Sequence, residues 1–260
     1  MAEPVDRIRA KVTRAKQHIE DFQLALKAFY DTKPYPILVK EDTEAGQRVY
    51  YLGEVAEVPM NVETIAADVL ANLRSVPDQI AYRLEILGGA KPDDRIYFPI
   101  AESAAKYPAM RDRYIKRAGQ AAIDAIDATE PYKGGKGNWL WQLNTLHKVD
   151  KHRLLVAAGS YYVGVDIGHM MTRHMQAVTA WPVLDMSVVI APADKLLPLK
   201  KGDELFREPL DMEVDEQLPF ALSVSLNQPG VIDAEPALKS LVELTNATDA
   251  LLTSFEPLLA

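Results

Sequence analysis

Apolar residues Val5, Ile8, Val12, Ala15, Ile19, Phe22, Leu26 and Phe29 recur at alternating steps of three and four, a heptad seam that predicts a long first helix. Arg7, Arg9, Lys11, Arg14 and Lys16 surround its first half. A seam this short suits antiparallel packing inside one bundle, so the cationic flank reads as a solvated helix face before it reads as a nucleic-acid stripe. Pro34 and Pro36 end the helix, because proline lacks an amide proton and restricts the residue before it. From Gln47 to Val58 a β-rich stretch centred on Val49, Tyr50 and Tyr51 predicts a short strand or hairpin. A second helix is expected from the cap residue Asn61, with Val62, Ile65, Ala66, Val69, Leu73, Val76, Ile80, Leu84 and Leu87 on one face. Gly88 and Gly89 should stop it, and Pro77 should kink it by freeing the carbonyl of Leu73. A third helix is expected over about Pro108 to Ala128, and a fourth from Asn138 to His152 after the glycine-rich stretch Lys133 to Gly137.

The pattern then changes. Leu154 to Val165, Val183 to Ile190, Met212 to Val214 and Phe220 to Leu226 are short β-branched or alternating segments divided by Gly and Pro. From Asp233 to Leu259 the helical period returns through Leu238, Leu241, Val242, Leu252 and Phe255. Helices followed by strands predict an α+β fold: a helical bundle with an inserted strand or hairpin, then a small, mainly antiparallel sheet and a closing helix. The expected layout is a single domain over 1–260, with a mainly helical part at 1–153, a mainly β part at 154–232 and the closing helix at 233–260.

Composition narrows the chemistry. The 260 residues are 48% hydrophobic and 25% charged, as in ordinary globular proteins, and contain no cysteine. Disulfides, thiolate zinc sites, iron–sulfur clusters and cysteine nucleophiles are therefore excluded. The opening residues carry acids and a proline where an export signal needs a basic end and an apolar run, and the longest uncharged stretch is half a membrane helix. These features set the expectation of a cytoplasmic protein with no membrane partner. Twenty-nine Lys and Arg against 37 Asp and Glu give a net charge of −8, which disfavours broad phosphate-backbone binding but permits a local basic site.

Two clusters carry candidate chemistry. On the second helix, Arg74 and Asp78 are four apart and can pair, holding the guanidinium ready for a phosphate that Asn72 or Gln79 could orient. Any amphipathic helix can show the same stripe. The fourth helix ends in His147, Asp150, Lys151, His152 and Arg153, where Asp150 could orient His147 and raise its pKa. Cations in a last helical turn also complement the helix dipole, so capping alone explains His152 and Arg153. His169 and His174 are five apart, the wrong spacing for ligands on one helix face, so no metal site is expected and no cofactor is implied. The glycine loop lacks the Gly-Lys-Ser/Thr ending of a phosphate loop and reads as a connector. Trp139 and Trp141, two apart, cannot both face the core.

The order Asn72-Leu73-Arg74-Ser75, Asp78 and Tyr82, then Phe98-Pro99-Ile100, Glu130-Pro131-Tyr132, Leu140-Trp141 with Leu143, and Asp150-Lys151-His152-Arg153 resembles a large family of uncharacterised bacterial proteins. That family commonly reads Asn-Leu-Arg-Ser-Ala-Leu-Asp-His-Leu in its second helix. In that form the Arg and His are similar to the Arg-x4-6-His signature of HEPN domains, helical bundles that often dimerise and cut RNA without a metal. The resemblance implies a HEPN-like bundle with degenerate or absent ribonuclease activity, in which Arg74 and His152 are catalytic candidates only if His152 or His147 packs against Arg74 from the neighbouring helix. It also implies RNA or nucleotide phosphate bound through Arg74, Asn72, Gln79, Lys151 and Arg153, with Asp78, Asp150 and His147 as orienting groups, and a homodimer formed through the bundle. Gln79 stands where the family has histidine, and glutamine exchanges no proton near neutral pH. The competing expectation is a non-catalytic interaction or scaffold protein whose polar clusters fix the register of packed helices.

Overall fold

In the computed structural model the described residues are 4–92, 94–153, 158–168, 171–172, 187–191, 198–211, 219–226, 228, 230–232 and 235–260. The fold is mixed α+β, with helices opening and closing the chain and two small three-stranded sheets. The backbone separates into two compact units interleaved along the sequence. The first comprises Met1–Leu26, Met60–Ala157 and Leu226–Ala260, and the second Lys27–Pro59 and Ala158–Ser225. No helix among the described residues is long and apolar enough to cross a membrane.

The first unit is helical. Its elements are α1 (Pro4–Asp31, up to Leu26), α2 (Met60–Leu87), α3 (Tyr107–Tyr114), α4 (Gln120–Ala128), α5 (Asn138–Arg153) and α6 (Ala237–Phe255). The heptad seam of α1 is buried within the chain from Ile8 through Leu26, so it is consumed inside this molecule. Two of the five cations on its flank are paired there too: Lys16 lies 2.6 Å from Asp249, and Arg9 pairs with Asp249 and Glu256. α2 packs against α5 and α6, and its Val76, Ile80 and Leu84 share a core with Phe98, Ile126, Leu140, Leu252 and Phe255. Those side chains bury apolar area at about 25 cal/mol per Å², the main force holding the unit together.

α2 begins at Met60, one residue ahead of the expected cap, and continues through Pro77. It stops as expected at the glycine pair: Gly88 N–H donates to the Leu84 carbonyl, and Gly89 adopts φ +89°, which costs glycine nothing. The helix expected over Pro108 to Ala128 is instead two helices. Between α3 and α4 the chain turns extended at Ile115, because the Glu85 carboxylate accepts the amides of Lys116, Arg117 and Ala118 at 2.7 to 2.9 Å. Amides tied to a carboxylate on another helix cannot make helical bonds to their own.

The second unit holds both sheets. Strands β1 (Ile37–Asp42), β2 (Gln47–Leu52) and β5 (Glu204–Pro209) form one in the order β1-β2-β5. Strands β3 (Ala158–Asp166), β4 (Val189–Ile190) and β6 (Phe220–Leu226) form the other in the order β4-β3-β6. β1 and β2 are an antiparallel hairpin pairing Ile37 with Leu52 and Asp42 with Gln47, and β2 pairs antiparallel with β5. The strand expected within Gln47 to Val58 is thus β2, ending at Leu52, and β6 falls on the expected Phe220 to Leu226. β1 and β5 were not foreseen. The expected strand at Met212 to Val214 lies outside the described residues, as do 154–157 and 183–186 of two others.

Candidate functional site

Arg74 and Asp78 are brought together as their spacing implied, and a third residue joins them from α5. Arg74 Nε donates to Asn144 Oδ1 at 3.0 Å, and its Nη1 lies 2.8 Å from Asp78 Oδ1. That second contact is an ion pair without hydrogen-bond alignment, since Nη1 is buried with no aligned acceptor. The Arg74 side chain is 11% exposed and that of Asp78 28%. Asp78 Oδ1 also accepts the backbone N–H of Phe98 at 3.0 Å, so one carboxylate ties α2 to the Phe98-Pro99-Ile100 segment. Asn72 turns away from this group and donates Nδ2 to the Asp68 carbonyl of its own helix. Gln79 is half-buried on α2, and His147 is half-buried on α5, one turn beyond Asn144. Asp150, Lys151, His152 and Arg153 occupy the last turn of α5, and their side chains lie outside the described part of the structure, as do His169 and His174 altogether.

The other motifs interlock with this cluster by backbone bonding. Ala101 N–H donates to the Pro131 carbonyl and Lys133 N–H to the Ala101 carbonyl, which fastens the Phe98-Pro99-Ile100 segment to Glu130-Pro131-Tyr132. Trp141 is buried, donates Nε1 to Glu102 at 2.9 Å, and has the Lys133 ammonium 4.6 Å from its ring centroid. Trp139 is only partly buried, as a two-residue spacing requires. The glycine loop is a connector whose amides are all occupied. Gly134 donates to Asn138 Oδ1, Gly135 to the Tyr132 carbonyl, Lys136 to Glu130 Oε2, and Gly137 to the Glu130 carbonyl. A side chain at Gly135 or Gly137 would lie 2.5 Å from the carbonyl of Glu130 or Thr129, so close chain approach requires both glycines.

Two features escaped the sequence reading. One is Glu85 on α2, a charged residue that is 2% exposed and anchors three amides at 116–118. The other is the run Arg111-Asp112-Arg113-Tyr114-Ile115-Lys116-Arg117, whose density of cations was the available signal. Among the described residues only Arg111 is neutralised within it, by Asp112 and by Asp127, to which Tyr107 also donates at 2.5 Å. Burial, followed by that bond to Asp127, pushes the Tyr107 phenol up.

The second unit has a polar cluster of its own. Arg48 Nη1 lies 2.5 Å from Glu208 Oε1, to which Tyr50 Oη also donates at 2.7 Å, while Glu208 Oε2 is buried without a partner. Burial and then the bond to Glu208 push the Tyr50 phenol up to about 12. Asp166, at the end of β3, accepts from Ser187 Oγ and from the amides of Gly168 and Val188, and these bonds hold its carboxyl below the usual range. Among the described residues no three His, Asp or Glu converge as a metal site. Comparisons of the chain with protein-family models, with curated proteins and with solved structures found no match.

Proposed function

We propose that the protein is a non-catalytic interaction or scaffold protein in which the Arg74 cluster holds α2 in register against α5. The supporting observation is the enclosure of Arg74, whose guanidinium already faces a carboxylate and an amide oxygen and is nearly withdrawn from solvent. A phosphate would have to displace Asp78, stranding a carboxylate that also anchors Phe98. The test is a mixed RNA pool incubated with the protein in chelator, alongside urea unfolding of Arg74→Ala. The scaffold reading expects no RNA retained or cleaved, and a loss of about 2 kcal/mol in the variant, below the range for a fully buried pair because Asp78 is partly hydrated. RNA binding that disappears in Arg74→Ala with unchanged stability would replace this reading.

The alternative is a HEPN-like module that binds or cuts RNA through Arg74 and His152, with Lys151 and Arg153 beside them. It is favoured by the direction of Arg74, which reaches α5 at Asn144, one turn before His147. In that case His152→Ala abolishes cleavage in the same assay.

A further inference from the structure

Among the described residues of this acidic chain, a concentrated group of cations beside α3 has no carboxylate neutralising it. Arg113, Lys116 and Arg117, at and after the end of α3, and Arg95 line a cavity of about 310 Å³ within the helical unit. Among the described residues none of the four has a carboxylate within ion-pair distance, and all are exposed. Asp93, two residues before Arg95, is outside the described residues. Two acids share the lining, and both are committed to backbone amides. Glu85 holds the amides at 116–118, and Asp94 Oδ2 accepts the Lys91 N–H at 2.8 Å. The carboxylates therefore build the loop, and the exposed cations share the cavity's lining without a carboxylate partner among the described residues.

An aromatic pair adjoins them. Tyr114 lines the cavity, carries the Arg113 guanidinium 5.3 Å from its ring centroid, and meets Tyr97 edge to face at 5.4 Å. Tyr97 is 42% exposed and reaches the cavity lining through its ring contact with Tyr114. Cations that converge on an opening favour a phosphate, which accepts several charge-assisted bonds at once. An exposed tyrosine face favours a planar ring attached to that phosphate. The volume is near the lower bound of small-molecule sites, about 300 to 1,000 Å³, which suits one nucleotide.

We propose that this cavity binds a nucleoside monophosphate, with Arg95, Arg113, Lys116 and Arg117 taking the phosphate and Tyr97 stacking on the base. The site is separate from the Arg74 cluster, and the inference stands whichever reading of that cluster holds. The experiment is isothermal titration of the full chain with AMP, inorganic phosphate, adenosine and a short single-stranded RNA. The variants are Arg113→Ala/Arg117→Ala and Tyr97→Ala, both at exposed side chains, with circular dichroism melting as the folding control. AMP is expected to bind more tightly than phosphate, and adenosine to bind least. The double variant should weaken AMP by at least about tenfold, the loss of one to two charge-assisted bonds. Tyr97→Ala should weaken AMP and leave phosphate unchanged, and added salt should weaken both. Adenosine binding as well as AMP, AMP affinity surviving the double variant, or RNA binding without AMP binding would each overturn the proposal.

Discussion

Each unit encloses an arginine beside a carboxylate, and the two pairs differ in what supports them. In the helical unit Arg74 and Asp78 are neighbours on one helix, Asp78 keeps part of its hydration, and Asn144 and the Phe98 amide complete the set. In the sheet unit Arg48 and Glu208 occupy directly opposed positions of β2 and β5. Glu208 is 1% exposed, and its second oxygen has no partner among the described residues. A partly hydrated carboxylate can recover water when its arginine is lost. A carboxylate as enclosed as Glu208 cannot, so the same chemical deletion should be far more costly in the sheet than in the bundle.

That contrast sets an order of effects. Arg48→Ala should cost about 4 kcal/mol in urea unfolding, the range for removing one partner of a buried pair, and Arg48→Met combined with Glu208→Leu should recover most of it. A smaller loss than that of Arg74→Ala would reverse the comparison. Next comes Glu85→Ala, expected to cost about 3 kcal/mol because bonds to a charged acceptor contribute about 1.5 to 3 each and rehydration of the three amides offsets part of the loss. Hydrogen exchange should then show the amides of residues 116–118 exposed while the middle of α2 stays protected. The third effect appears only at alkaline pH. Burial pushes Tyr35 and Tyr162 up to about 12, as it does Tyr50, against 10.0 in an unfolded chain. Folded pKa values above the unfolded ones mean that this stability is complete below pH 10 and falls as pH rises through about 12. Ring resonances of Tyr35, Tyr50 and Tyr162, followed by NMR, should therefore shift to the phenolate together with loss of sheet signal; ionisation of these three with the sheets intact would contradict it.

Local pattern carried the bundle further than the sheets. The α1 seam, the glycine stop of α2, the extent of α5 and the position of β6 follow from spacing and punctuation alone, and all were legible. β1 was not. Its side chains are largely exposed, including Leu38 and Val39, so it lacks the half-buried alternation that marks a strand and depends on pairing with β2. β5 owes its existence to a partner more than 150 residues earlier in the chain, as the Arg48 and Glu208 bond illustrates. The break between α3 and α4 has a similar origin, since Glu85 imposes it from 31 to 33 residues away. At the candidate site the pairing of Arg74 with Asp78 was readable from spacing four. Its partner Asn144 and the idle cations around Tyr114 depend on how loops return, which spacing does not encode.

The interleaving of the two units affects how the chain can be made and cut. The helical core is closed by α6, which packs on α2; the bond from Arg83 to the Leu259 carbonyl spans 176 residues. During synthesis α2 therefore leaves the ribosome long before the helix that covers it, and its apolar face must wait while the later segment of the sheet unit, residues 158–225, is translated. Non-local closure of this kind is slow and leaves exposed surface for chaperones to hold. For the same reason no single proteolytic cut yields either unit intact, and a chain stopped before α6 would carry the motifs of the bundle without its core.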